Sequence, residues 1–191
     1  MKMKNRPMKS NTEWKMWGES DPLWGVASWA SRNKDGLRPW TDEEFYELGR
    51  QDWQDFKTHW RKYGMNSTAC VEIGCGAGRL TRHIARDFDQ VHAIDVSEGM
   101  IAYARERMQQ PNVKFHLVTG TDIPIAAESV TASFSAHVFQ HFDNLDAATS
   151  YFREISRVLV PTGTLMIHLP LCAWPSGAGG LIKALYHVQR K

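Results

Sequence analysis

The stretch that most constrains this chain is Val71-Glu-Ile-Gly-Cys-Gly-Ala-Gly-Arg79, an apolar run that breaks into three alternating glycines and leads straight into a helical pattern. Glycine takes positive φ at little cost, and without a Cβ it lets a ligand reach the backbone amides at a helix's positive end. A strand, a glycine turn and a helix in that order open a βαβ unit and commit the chain to a parallel sheet. The downstream sequence agrees. Residues 69–73 read as a short buried strand, and Leu80, Ile84 and Phe88 mark one face of the helix behind it. Residues 91–95 form a second strand; Ser97 caps a helix carrying Met100, Ile101, Ala104 and Met108 that stops at Pro111. Strands follow at 113–118, 130–135 and 164–169. A helix over roughly 144–159 has Ala148, Phe152, Ile155 and Leu159 on its apolar face and ends at Pro161.

Upstream the character differs. Residues 1–40 are polar and rich in tryptophan, with Pro7, Pro22 and Pro39, and show neither a helical nor a strand period. Thr41-Asp-Glu-Glu44 then reads as a capping box, the Thr hydroxyl and Glu carboxylate serving the first turn's unpaired amides. Phe45, Leu48, Phe56, Trp60 and Tyr63 follow at mostly helical spacing, and Gly64 is the expected stop. The chain therefore divides into a Trp-rich extension with its helix, residues 1–64, and a core, residues 65–191. Seven of the eight tryptophans lie before residue 61.

Composition removes several classes. With 191 residues, 42% of them hydrophobic, the chain can bury one core and not readily two. Lys+Arg 23 against Asp+Glu 21 gives a net charge of +2, too balanced to argue for a nucleic-acid binder. Cys70, Cys75 and Cys172 form no CxxC and no even framework, which points to a reducing cytoplasm and no disulfide scaffold. The start is polar and lacks the apolar stretch of a signal peptide. No apolar run approaches the roughly 18–20 residues of a membrane span. His59, His83, His92, His116, His168 and His187 show no metal-ligand spacing, and no metal is expected.

Spacing decides what the glycine turn holds. A dinucleotide fingerprint needs its third glycine at position 79, which is Arg79; Gly78 comes one residue early. A P-loop needs Lys-Ser/Thr, which is absent. Acidic-x-G-x-G-x-G, here Glu72, Gly74, Gly76 and Gly78, instead resembles motif I of the class I S-adenosylmethionine-dependent methyltransferases, over about residues 69–169. Phe115 to Thr131, with Ile123-Pro124-Ile125 at its centre, is similar to a segment of the quinone-biosynthesis-like branch, except that Thr119 and Thr131 replace acidic or amide residues.

The resemblance implies a Rossmann-like α/β fold, a mostly parallel sheet of about five strands with helices on both faces. It also implies S-adenosyl-L-methionine as cofactor and a small-molecule acceptor. By the same resemblance Glu72 orients the methionine end over Gly74, Cys75, Gly76 and Gly78, unless it is only an ordinary partly buried carboxylate. Asp95 accepts the ribose hydroxyls, unless it only caps the next helix. Val96 and Met100 line the adenine; Thr119, Gly120 and Asp122 border it, with Asp122 as a substitute for the missing carboxylate, and Ser135 closes the site.

Methyl transfer needs an aligned nucleophile and little water, and a base of pKa near 7 helps a hydroxyl or acidic carbon react. His137 and His141 follow the fourth strand, where the family passes beneath the transferred methyl, and are the candidate bases; each could instead only pack or bond backbone. The Trp-rich front is read either as a lid over the cofactor or as packing against the sheet's helices. Arg79, Arg82 and Arg86 read as a solvated helix face in preference to an anion site.

Two readings differ in class from methyl transfer to an O, N or C nucleophile. One is a catalytically silent module of the same fold, motivated by Thr119 and Thr131; the other is a nicotinamide oxidoreductase. Length adds a constraint. After Leu169 only 22 residues remain, room for one helix near residues 181–189 but not for the terminal antiparallel hairpin of this fold. The fifth strand would then be an apolar edge, covered by the front extension, the last helix, a second copy or a partner chain.

Overall fold

The structure, a computed structural model, describes residues 9–169. The central strand β1 (Ala69–Ile73) is buried along its whole length, as a strand with helices on both faces must be. It pairs in parallel with β2 (Gln90–Asp95) on one side and β4 (Val130–Ala136) on the other. Outside these lie β3 (Val113–Leu117) and β5 (Leu159–His168), giving the all-parallel order β3-β2-β1-β4-β5. The α/β sheet expected from the strand-helix alternation is present. Among the described residues β5 is the edge strand on the β4 side; the helix expected near residues 181–189 lies outside them.

Strand alternation sends odd-numbered residues of β1 to one face and even-numbered ones to the other. Val71 and Ile73 meet Tyr151, Ile155 and Val158 of α6 (Leu145–Val158). Cys70, with Val91 and Phe134, packs under α3 (Asp42–Arg61) and the short α4 (Thr81–Ile84). On that same face Ala93 meets Ile101 of α5 (Glu98–Arg107). Trp53 and Trp60 of α3 set their rings 5.5 and 5.8 Å from Phe134. Trp60 Nε1 also donates to Thr164 Oγ1 at 2.9 Å, so this part of the extension does pack onto the sheet.

Several local expectations need correction. Residues 9–26 are helical, in α1 (Lys9–Ser20) and α2 (Pro22–Val26). The buried residues of α1 are Asn11 and Gly18, neither of which registers as an apolar period. A Cβ on Gly18 would lie 2.1 Å from Ser97 Oγ, and one on Gly99 2.5 Å from the Gly18 carbonyl oxygen, so α1 crosses the start of α5 through bare backbone. Thr41 does cap α3, accepting from Glu44 N at 3.2 Å, but the Glu44 carboxylate turns to Arg32 and Arg38. The buried face of α6 is Ala147, Tyr151, Ile155 and Val158, which keeps the expected Ile155 and otherwise sits one residue earlier than expected, and Phe152 is exposed. Pro161 does not end α6; it lies inside β5, where a register irregularity opposite Val130–Ala132 absorbs the added length. Ser97 caps α5 as expected, accepting from Met100 N.

Candidate active site

The glycine turn is strapped to the end of β2. Gly74 N and Cys75 N both donate to the Ile94 carbonyl, at 2.8 and 3.0 Å. Gly74, Gly76 and Gly78 all take positive φ, which explains their spacing. A side chain at Gly74 would collide with Val138, its Cβ 2.3 Å from Cγ2, and one at Gly76 would stand 2.8 Å from Val26. Asp95 completes the turn: Oδ2 accepts from Gly76 N at 2.8 Å and Oδ1 from Ser97 N at 2.9 Å. Burial pushes the Asp95 carboxyl up, while the amides of Ser97, Gly76 and Val96 pull it back. One carboxylate thus holds the loop and the start of α5 together.

Above the C-terminal ends of β1, β2 and β4 lies a cavity of about 480 Å³, the place where open parallel sheets bind ligands. Gly74, Gly76, Asp95, Val96 and Met100 line it, as do both candidate bases, His137 and His141. Val118, Phe142 and Tyr151 close its far side. His137 takes φ +59, and its N–H donates to the His168 carbonyl at 3.2 Å, with the two rings edge to face at 4.5 Å. Burial pushes its imidazole below the ordinary value, and the charges of His168 and Arg79 push the same way. His141 ends the single 3-10 turn Phe139–His141 and meets the Trp14 ring at 4.9 Å.

The other expected site residues are not on the cavity wall. Glu72 is 3% exposed, with Oε2 lacking a hydrogen-bond partner. Burial pushes it up to about 7, with the neighbouring Thr81 hydroxyl and Arg79 lowering it partway. Cys75 is buried with Ala93 and Ile101, and Gly78 faces Met108 and Ala104. Ser135 Oγ donates to the Ile73 carbonyl, tying β4 to β1. Thr119 and Asp122 are exposed, and the Gly120 carbonyl accepts from Tyr151 Oη at 3.1 Å. Thr131, the other departure from the family pattern, sits at the opposite end of the sheet, where its hydroxyl accepts from Ala69 N.

Two contributors go beyond the motif residues, the front of the chain, which the sequence left open as lid or packing, and Arg79, which it favoured as solvated. The first is the front of the chain: Asn11 and Trp14 of α1, and Gly25 to Trp29 at the end of α2, form one wall of the cavity. Lys9 N and Ser10 N donate to the Asp143 carboxylate, which anchors α1 beside the 3-10 turn. The second is Arg79, which is no solvated residue: it is 7% exposed, lines the cavity and pairs with Asp52 of α3. It precedes α4, so the helical spacing to Arg82 and Arg86 does not govern its direction. Arg82 lies over the Tyr46 ring and Arg86 is exposed.

A glycine cradle, an acidic residue ending β2 and a cavity over the switch point of a parallel sheet define the class I S-adenosylmethionine-dependent methyltransferase fold. A family profile described as a methyltransferase domain matches residues 71–167, about half of the chain, and the chain belongs to that family. Methyltransferase tpcH of Aspergillus fumigatus is 31% identical over 105 residues, covering 50% of this chain and 36% of that protein. The malonyl-[acyl-carrier protein] O-methyltransferase of Hahella chejuensis is 33% identical over 98 residues, covering 50% and 34%. The demethylmenaquinone methyltransferase of Tropheryma whipplei is 29% identical over 116 residues, covering 57% and 47%. The chain thus spans between a third and a half of the length of these relatives. Among solved structures, Haemonchus contortus phosphoethanolamine N-methyltransferase 1, in complex with phosphoethanolamine and S-adenosylhomocysteine, superposes with TM-score 0.66 at 18% identity. That match covers 87% of this chain and 32% of the other and bears on the fold alone.

Proposed function

We propose that the chain binds S-adenosyl-L-methionine in this cavity and transfers its methyl group to an O, N or C nucleophile of a small molecule. The observation that carries the reading is the meeting of Gly74, Gly76, Asp95 and two histidines on one cavity wall. The residues suit the cofactor: the bare glycine backbone leaves room that a Cβ would fill, and the Asp95 carboxylate reaches the cavity already oriented by two amides. Asp95 would accept the ribose hydroxyls through its remaining lone pairs. Val96, Met100 and Val118 would hold the adenine between apolar walls.

The cofactor supplies an activated methyl on a sulfonium with a neutral leaving group, so little is left to the protein beyond alignment and drying. The front helices exclude water from one side, which makes residues 9–29 a lid. His137, kept neutral near pH 7 by burial, would accept a proton from the acceptor, with His141 as the alternative base under Trp14. The demethylmenaquinone methyltransferase relative supports a small-molecule acceptor, and the malonyl-[acyl-carrier protein] O-methyltransferase relative an acceptor that is not nucleic acid.

Calorimetry with S-adenosylhomocysteine tests the reading. Wild type is expected to bind one equivalent, and Asp95→Ala to bind at least about tenfold more weakly, the scale of charge-assisted hydrogen bonds. No heat at millimolar ligand overturns it. Saturable binding without methylation of a broad acceptor panel would favour the silent module.

A further inference from the structure

The helix that roofs the cavity carries one buried amide that the protein itself does not use. Asn11, Trp14 and Gly18 share a face of α1, three and four positions apart. Gly18 rests on the start of α5 beside Met100, and Trp14 meets the His141 ring at 4.9 Å. Asn11 stands a turn before Trp14 and about 10 Å along the helix from Gly18, next to the Lys9 and Ser10 amides that bond Asp143. It therefore lies toward the turn that follows β4 and away from the Met100 end of the site.

Asn11 is 6% exposed and lines the cavity, yet no hydrogen bond among the described residues uses its carboxamide. That group brings two N–H donors and a carbonyl oxygen. Each one left unmet in a buried place costs about 1–3 kcal/mol, a cost that an apolar side chain of similar size would not carry. A ligand in the cavity that offers both a donor and an acceptor removes it.

The surroundings narrow that ligand. Among the described residues, the charged side chains on the cavity are Asp52, Arg79 and Asp95. Asp52 and Arg79 neutralise one another, and Asp95 is held by the Gly76 and Ser97 amides at the end of β2. The front helices and the turn after β4 bring Trp14, Gln140, His141 and Phe142 to the wall, but no carboxylate, lysine or arginine. An ionised group enclosed there would lack a counter-ion, at a cost of several kcal/mol. An uncharged group incurs no such cost, and Trp14 and Phe142 offer flat apolar surface to the body that carries it.

We infer that Asn11 is a specificity-determining residue for the acceptor: its carboxamide receives an uncharged hydrogen-bonding group, a hydroxyl or an amide, on a molecule with an apolar body. Acceptors ionised at that end are refused. This rests on the methyltransferase reading above and names the chemistry of its acceptor.

The test titrates four fragments of similar shape onto protein saturated with S-adenosylhomocysteine. Benzamide is uncharged and carries donor and acceptor, toluene is uncharged and carries neither, and benzoate and benzylammonium are ionised. Asn11→Leu keeps the volume without the amide, and Asn11→Ala leaves the space open, so an effect common to both reads the amide and not the shape. Wild type should bind benzamide at least about tenfold more tightly than either ion. The ratio of benzamide to toluene affinity should fall about fivefold in both variants, the scale of one hydrogen bond between neutral groups. Unchanged affinity for S-adenosylhomocysteine would show that the variants fold and that the amide serves the acceptor. Benzoate or benzylammonium binding as tightly as benzamide overturns the inference, as does a ratio that survives in the variants or the binding of no fragment in the millimolar range. Weaker S-adenosylhomocysteine binding by both variants at an unchanged melting temperature assigns the amide to the cofactor and overturns it too. Failure of wild type to bind S-adenosylhomocysteine at all overturns the cofactor reading itself.

Discussion

At the scale of single residues, Glu72 and Asp95 show how two buried carboxyls in one site can differ. Asp95 receives amide hydrogen bonds on both oxygens, whereas one oxygen of Glu72 receives none, and burial carries its pKa from the ordinary 4.5 up to about 7. Between those values the folded protein keeps a proton that the unfolded chain has released. Stability therefore falls as pH rises through that window, and the full penalty stands above it. Glu72→Gln keeps the shape without the charge. Thermal melts should show the variant more stable than wild type at pH 8 and no more stable at pH 4.5; equal melting temperatures at both would show that the carboxyl pays no burial penalty. That Gly74, Gly76, Asp95, His137 and His141 would line one cavity was legible in the sequence, the first three from motif spacing and the histidines from their place after the fourth strand. The Asp52–Arg79 pair was not, since its members lie 27 positions apart on elements whose approach is set by a glycine.

At the scale of elements, Gly49 is where α3 and the loop before α4 come closest. Alanine there gains about 1 kcal/mol of helix propensity but meets a backbone oxygen that cannot rotate away. Gly49→Ala should lower stability by a net 1–3 kcal/mol or so in denaturant unfolding, the range of overpacking; a stabilised variant would show that α3 rides higher. Which elements could be read ahead follows from how they dock. The aromatic period of Phe45, Phe56 and Trp60 announced α3 because those rings are the contact. In α1 the contacts are Asn11 and Gly18, and hydrophobic spacing has nothing to register. In α6 Tyr151 and Phe152 are adjacent, and residue type alone could not choose which faces the sheet. Pro161 looked like a helix stop, yet the residue before it already belongs to a strand.

At the scale of the molecule, the front of the chain closes the cavity by a few discrete ties. Asp143 receives the first amides of α1, Trp14 meets His141, and Gly18 rests on α5. Asp143→Ala removes a helix cap worth about 1 kcal/mol, so α1 should open about fivefold more often. Limited trypsin digestion would read this as faster cleavage after the exposed Lys15 with the sheet's circular dichroism unchanged; an unaltered rate would show that the other ties hold α1 alone. No helix among the described residues is long and apolar enough to cross a membrane.

The reach of one of these ties has a consequence for how the protein is made. Lys9 bonds a residue 134 positions later, and synthesis runs from the amino end. When α1 leaves the ribosome, neither α5 nor Asp143, on which it will rest, has been translated, and its own buried residues offer almost no apolar surface to fold around. The glycine turn and Asp95 are translated some fifty residues before Asp143, which ties the first turn of α1 beside the site. The tie between Asp143 and the first turn of α1 therefore forms late, after α5 has already been made.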